Sequence, residues 1–472
     1  MTDFSGAALP LAWGLPFAGL LLSIAFVPLV APHFWHAHYG KVALFWSVTL
    51  LVPFAATFGT ENAVHGVAHA IFEEFVPFLA ILFSLFTIAG GICLRGTLAG
   101  TPASNTRLLA LGAALASVMG TTGASMLLIR PLLNANAMRQ HRAHVVVFFI
   151  LLVGNVGGAL SPLGDPPLFI GFLKGVDFFW TTRMLAMPTL FVAIALLAAF
   201  FALDTFLHRK ETPPKWASPS PYALRPAGAQ TSTTPRSAPR VPALAKSEPF
   251  GVEGGANSVL LAAVIGVVLM SGLWKPGIDL EIAGAHLPLQ KLVRDVALIL
   301  LAVVSVAITP RAVRERNQFH WAPIIEVAKL FAAIFVTISP VLAILAAGKK
   351  GALGPLVDVL DDGHGELRDD VIYWVTGVLS AFLDNAPTYL VFFNLAGGEA
   401  ARLMDVTPRT LAAISMSAVY FGALTYIGNA PNFMIKAIAE DRGVAMPSFF
   451  AYFGWASLLM LPLLVVVAAV WV

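Results

Sequence analysis

The sequence predicts an all-α polytopic membrane protein built of two inverted repeats, each holding a re-entrant hairpin and a broken transmembrane helix. Three observations carry that reading. The 472 residues are 58% hydrophobic and only 12% charged, with a mean hydropathy of +0.81, whereas a soluble domain carries about 25% charged residues. Two apolar segments are interrupted in the same way, from Gly158 to Phe169 and from Gly422 to Phe433, both as G-A-L-[ST]-x-x-G-[DN]-x-P-x-F. The landmarks around them recur. A hairpin tip at Ala124 returns at Ala386, the break at Gly158 returns at Gly422, and Met187-Pro188 returns at Met446-Pro447, offsets of 262, 264 and 259 residues.

The elements follow in order, since about 20 apolar residues cross the hydrocarbon core and shorter stretches are re-entrant. The first repeat, 1–207, opens with spans over Leu11 to Val30, Lys41 to Phe58 and Phe72 to Leu94. A hairpin over 107–136 turns at Gly120-Thr121-Thr122-Gly123, because neither Arg107 to Met119 nor Ala124 to Leu133 is long enough to cross. The segment 145–175 is one long helix broken at Ser161 to Pro167, and Leu185 to Leu207 closes the repeat. Residues 208–256, rich in Pro, Ser, Thr and basic residues, cannot bury a core and read as a disordered linker. The second repeat, 257–472, has spans over Asn257 to Trp274, Leu292 to Thr309 and Pro323 to Ala347. A hairpin over 370–396 with Asp384-Asn385 at its tip, a helix over 411–439 broken at Thr425 to Pro431, and a last span from Pro447 to Val472 complete it.

Composition removes several function classes. The net charge of +3 and the absence of a basic, aromatic-laced patch speak against nucleic acid. One cysteine, Cys93, allows no intramolecular disulfide and no cysteine-built metal cluster. Met1-Thr2-Asp3 lacks the basic start of a cleaved signal peptide, so the first apolar segment is expected to remain as a span. No G-x-x-x-x-G-K-[ST] occurs, so an ion gradient is the expected driving force and not ATP. No cofactor is expected. With the N-terminus outside, Lys41, Arg95, Arg107, Arg139, Arg142, Arg311, Arg314, Arg316, Lys436 and Arg442 fall on the cytoplasmic side, as the positive-inside rule asks. Five crossings per half then make the halves inverted, with hairpins entering from opposite faces.

A helix broken inside the bilayer leaves orphan N–H groups at one new end and orphan carbonyls at the other. Such backbone is tolerated only where it is buried in protein or lines a cavity, and corresponding breaks in two halves mark a transporter's binding site. The breaks supply Asn155, Ser161, Asp165, Thr425, Asn429 and Asn432. The tips supply Thr121, Thr122, Ser125, Asp384, Asn385 and Thr388. Asp165 and Asp384 set the chemistry, because a carboxylate at mid-bilayer costs roughly 2.5–3.5 kcal/mol on insertion scales and demands a partner or a function. Burial disfavours its charged form and a bound cation favours it, so one such group can hold a proton or Na⁺ in turn. The plainer alternative is that each Asp caps a half-helix. Arg130 stands either to bind an anionic substrate or to balance Asp165. Glu326 and Lys329, spaced i,i+3, read as a pair on one helix. Glu73 and Glu74 read as interfacial, and His33, His36, His38, His65 and His69 as solvated loop histidines.

The run Asn155-x-Gly-Gly158-Ala-x-Ser161-Pro-x-Gly-Asp165, with Leu383-Asp384-Asn385-Ala386-Pro387, resembles the ion transporter superfamily. That group holds NhaD-type sodium/proton antiporters, citrate-metal symporters and divalent anion/sodium symporters. The likeness spans nearly the whole chain outside the linker and is nearest the branch known both as sodium/proton antiporters and as citrate transporters. It implies an elevator-type mechanism, a homodimer, and the inner membrane of a bacterium. NhaD-like proteins carry the N-x-G-G-A-x-x-P-x-G-D pattern that Asn155 to Asp165 match. The dicarboxylate branch carries Ser-Asn-Thr at its tips, where this chain has Thr-Gly-Ala-Ser and Asp-Asn-Ala-Pro-Thr. The expected function is therefore exchange of Na⁺ (or Li⁺) for H⁺. Asp165 and Asp384 are the carboxylates, and Asn155, Ser161, Asn385, Thr425 and Asn429 complete the oxygen shell. Thr122, Ser125, Arg130, Thr388 and Asn432 are secondary candidates. The alternative is cation-coupled symport of citrate or another organic anion.

Overall fold

The computed structural model describes residues 6–96, 98–211, 251–282, 285–361, 363 and 367–472. Most of these are helical, and eight helices are long and apolar enough to cross a membrane. Two further expected spans are not among the eight. Leu289–Ile308 carries Lys291, Arg294 and Asp295, and the longest helix of the second broken segment, Pro408–Phe421, has 14 residues. Two short antiparallel strand pairs qualify the all-helical expectation: Cys93–Arg95 with Gly251–Glu253, and Asp279–Ile282 with Ala285–Pro288. The first lies partly inside the range expected to be linker. Residues 208–210 are not linker either, since they finish the helix Trp180–Lys210, and Ala256 already opens the next helix; 212–250 of the expected linker lie outside the described residues.

Several helices start earlier than the hydropathy pattern indicates, because capping sets the start. Pro32 opens a helix that runs to Phe58, so His33, His36 and His38 are helical. His65 and His69 sit on Thr60–His69, which continues through the π turn Ala70–Phe75 into Val76–Ala89. In the first hairpin Thr101 accepts the Ser104 N–H and Pro102 takes the first helical position, giving Pro102–Met119. Gly120, at φ +81°, turns the chain into Thr121–Ala135. The second hairpin is Asp369–Phe382 and Asn385–Leu395.

Polar contacts sort the elements into two bodies. A framework of 6–96 and 251–361 is tied by Trp35 Nε1 to Glu326 (3.2 Å), Asn257 to the Gly91 carbonyl (3.0 Å) and Arg314 to the Thr87 carbonyl (3.1 Å). The other body, 102–210 and 367–472, holds both hairpins and both breaks. It is tied by Thr189 to Tyr420 (2.6 Å), Arg442 to Asn134 (2.8 Å) and Tyr452 to the Ala423 carbonyl (2.9 Å). Within it the first broken segment is interior, 89% of its Ala143–Leu160 window being buried, whereas Trp180–Lys210 and Phe449–Trp471 are 22% buried. Those two helices turn Leu190, Ile194, Leu458 and Val465 outward, which suits a lipid-facing wall.

Candidate functional site

The two breaks are built alike. After Ala143–Leu152 and the 3-10 turn Val156–Leu160, the chain reopens as a helix at Pro166–Leu173. The second runs Pro408–Phe421, then Gly422–Leu424, then Ala430–Asp441. The Ser161 hydroxyl donates to the Ser117 carbonyl and the Thr425 hydroxyl to the Ala381 carbonyl. Each hydroxyl also accepts a backbone N–H two residues on, from Leu163 (3.1 Å) and Ile427 (3.2 Å). Gly164 passes so near Gly158 that an added Cβ would lie 2.0 Å from its carbonyl oxygen, and Gly428 stands likewise at 2.8 Å from that of Gly422. All of these correspond at an offset of 264 residues. At that offset Thr121 matches Asn385, Asp165 matches Asn429, and Asp384 matches Gly120.

Four elements meet at Asp165, which is 1% exposed. Its Oδ1 accepts the Thr121 hydroxyl (3.1 Å) and the Asn429 amide (3.0 Å), and its Oδ2 accepts the Asn385 amide (2.6 Å). Asp165 sits at a helix N-cap but its side chain makes no capping bond, so capping does not account for it. Asp384 does cap, accepting the Ala386 N–H at 3.1 Å. It lines the same cavity of about 100 Å³ as Asp165, Thr121, Thr122 and Asn429. The opposite wall is apolar and belongs to the framework: Ile81, Leu85, Phe86, Ile324 and Phe331 among others. On Val76–Ala89 and Ala322–Ala346 these residues lie toward the ends joined to 90–96 and 309–321. The cavity is thus displaced to that side.

The remaining candidates divide. Asn155 and Asn432 brace the breaks against each other. Asn155 donates to Asn432 (2.8 Å) and accepts from Asn429 (3.1 Å), and Asn432 donates to the Gly422 (2.8 Å) and Thr425 (2.9 Å) carbonyls. Ser161 and Thr425, expected as open ligands, instead spend their hydroxyls on backbone. Thr388 donates to the Asp384 carbonyl at 3.0 Å. Ser125 Oγ and Asn385 Oδ1 are buried with no hydrogen-bond partner among the described residues. Arg130 balances neither Asp165 nor the cavity. It reaches Gln318 (3.1 Å), the Met126 carbonyl (3.3 Å) and Asn317 (3.5 Å), a loop 188 positions away that local spacing cannot reveal. Glu326 and Lys329 do not turn to each other: Glu326 takes the Trp35 indole, and Lys329 stands 5.3 Å from the Tyr39 ring centre.

A second cavity, of about 570 Å³, lies in the framework, lined by His65, His69, Glu73, Glu281 and His286 above Leu50, Phe54 and Pro340. His69 pairs with Glu73 at 3.3 Å. Among the described residues no group of His, Cys, Asp and Glu is arranged to hold a metal ion.

A sequence family described as "Putative citrate transport" matches residues 6–472. The chain belongs to that family. No curated protein matches it. Family membership and the apolar helices together make this a multi-pass membrane transporter.

Proposed function

We propose that this citrate-transport family member exchanges Na⁺ (or Li⁺) for H⁺ across a bacterial inner membrane, with Asp165 as the carboxylate for which the two ions compete. One observation carries the reading. The buried Asp165 carboxylate is met by three neutral donors from three other elements. Among the described residues it has no ion-pair partner. An unpaired buried charge costs several kcal/mol, and either a proton or a monovalent cation removes that cost. The four helices that begin here each present roughly half a positive charge at their N-termini. They keep the ionised form within reach without supplying a fixed counter-ion. The unpartnered Asn385 Oδ1 and Ser125 Oγ are hard oxygens of the kind Na⁺ accepts, and Asp384 is the second carboxylate.

We read the halves as inverted copies whose hairpins enter from opposite faces. Every polar group of the site belongs to one hydrogen-bonded body. The economical way to face each side in turn is therefore for that body to slide along the framework, an elevator-type motion, in a homodimer. By the positive-inside rule the cavity side, with Arg95, Arg311, Arg314 and Arg316, is cytoplasmic.

The family's description favours a second reading, cation-coupled import of citrate or another organic anion. Four helix N-termini suit carboxylates, although no lysine or arginine among the described residues lines the cavity. Proteoliposomes separate the two. Dequenching of an internal pH dye on adding Na⁺, with no organic acid present, is the expected result. Labelled citrate uptake that needs a Na⁺ gradient, with no Na⁺-driven pH change, selects the alternative.

A further inference from the structure

The boundary between the two bodies is chiefly apolar. Phe86 and Ile324 of the framework pack on Met126, and Phe78 on Phe169. Among the described residues, polar contacts cross it toward each end. At the cavity end Arg130, 7% exposed, leaves the first hairpin to donate to Gln318 and Asn317 of the framework loop. Asn317 is itself anchored to the Gly90 and Ile92 carbonyls at 3.1 Å each. Gln318 has φ +47° and is the single non-glycine residue with positive φ among those described. Such a conformation persists only where its surroundings hold it. At the far end Lys174, just past the helix Pro166–Leu173, forms an ion pair with Glu74 of the framework's π turn. Single π turns inside helices are frequent at functional sites.

We propose that the Glu74–Lys174 ion pair and the Arg130–Asn317–Gln318 cluster are two releasable clamps that hold the site-bearing body at the 309–321 end of the framework. They would thereby set how often it leaves. The inference rests on the sliding motion proposed above and names the residues that regulate it. A rigid body moving along the helices must break both clamps, since they fix its opposite ends to one partner. Each can be broken. Lys174 and Glu74 keep 23% and 14% of their side-chain surface open to solvent, so parting them rehydrates both charges and does not strand either in a dry interior. Among the described residues Arg130 is held by neutral oxygens.

The test uses the full chain with Cys93→Ser and one reporter cysteine, Met434→Cys, on the cavity wall. Oriented vesicles are labelled from each face with a membrane-impermeant maleimide. Labelling chiefly from the 309–321 face is expected in the parent. Glu74→Gln and Arg130→Gln should each raise labelling from the opposite face about fivefold or more. The charge-exchanged pair Glu74→Lys/Lys174→Glu should return the ratio to that of the parent. An unchanged ratio in Glu74→Gln removes the outer clamp, and one in Arg130→Gln removes the inner. A reporter reached from one face in every variant, while the proteoliposomes still exchange Na⁺ for H⁺, overturns the clamps and leaves the exchange standing. A reporter that switches faces as predicted, without Na⁺/H⁺ exchange, sinks the transport reading and keeps the clamps.

Discussion

Asp165 gathers its three donors from positions 44, 220 and 264 residues away, and none of the donors carries charge. Replacing it with Asn removes the titrating group but keeps its shape. Asp165→Asn should therefore abolish Na⁺-driven dequenching in proteoliposomes and leave the melting temperature near that of the native protein. Exchange retained by that variant would take Asp165 out of its role. The neighbours should behave differently from one another. Asn429→Ala and Asn385→Ala, which lose a donor to the carboxylate, should raise the Na⁺ concentration for half-maximal exchange about tenfold to a hundredfold. Asn155→Ala leaves Asn432 and Asn429 short of a partner inside the protein, so it should chiefly cost stability, about 1–3 kcal/mol, read as a lower melting temperature. At this scale the sequence announced Asp165, because a carboxylate beside prolines and glycines in an apolar run has no local excuse. It could not tell a ligand from a brace. Asn155, Ser161 and Thr425 have the right atoms, but their partners lie on other helices and breaks, brought beside them only by folding.

The broken helices are the elements on which the site depends, and their geometry is held by close backbone approach. Gly164→Ala would place a methyl group 2.0 Å from the Gly158 carbonyl oxygen, a clash of backbone against backbone that no rotamer relieves. It should abolish exchange and lower the melting temperature. Gly454→Ala, on the outer helix Phe449–Trp471 with no described atom within 4 Å of the added methyl, should leave exchange intact and be neutral or stabilising by up to about 1 kcal/mol. Equal losses in the two variants would show that close approach at the break is not what matters. The breaks and the helix–turn–helix pairs were legible because an apolar run too short to cross must end in a turn, and a paired Gly/Pro interruption must open the helix at both places. Helix starts were not, since Thr101-Pro102 and Pro32 begin their helices on capping and φ preference, ahead of the apolar stretch. The fixed offset of 264 also parts the two carboxylates: Asp384 stands where the first hairpin has Gly120, and Asp165 where the second break has Asn429. The acids are not copies of each other, so equal roles do not follow from the repetition.

Across the whole molecule, polar side chains knit each body, and the boundary between the bodies is chiefly apolar apart from the Glu74–Lys174 and Arg130–Asn317–Gln318 contacts. In the site-bearing body Asp204, 0% exposed, joins Trp180–Lys210 to the first arm of the first hairpin and to the chain that follows the hairpin. It accepts Arg139 (2.6 Å), Asn105 (3.0 Å) and the His144 ring (2.8 Å). Asp204→Asn leaves Glu211 as the carboxylate beside the buried Arg139 and should cost about 1–3 kcal/mol, seen in thermal unfolding, with the Na⁺ dependence of any remaining activity unchanged. A shifted Na⁺ dependence would mean that this cluster communicates with the site. The framework's apolar wall of Ile81, Leu85, Ile324 and Phe331 went unmarked in the sequence because such residues fill every span. The central claim, that one carboxylate trades a proton for a cation, is tested most directly by calorimetry of Na⁺ binding to the purified protein in buffers of different ionisation enthalpy. The prediction is about one proton released per cation bound, tighter binding as pH rises, and no release from Asp165→Asn. Cation binding without proton release, or release that survives in Asp165→Asn, would contradict it.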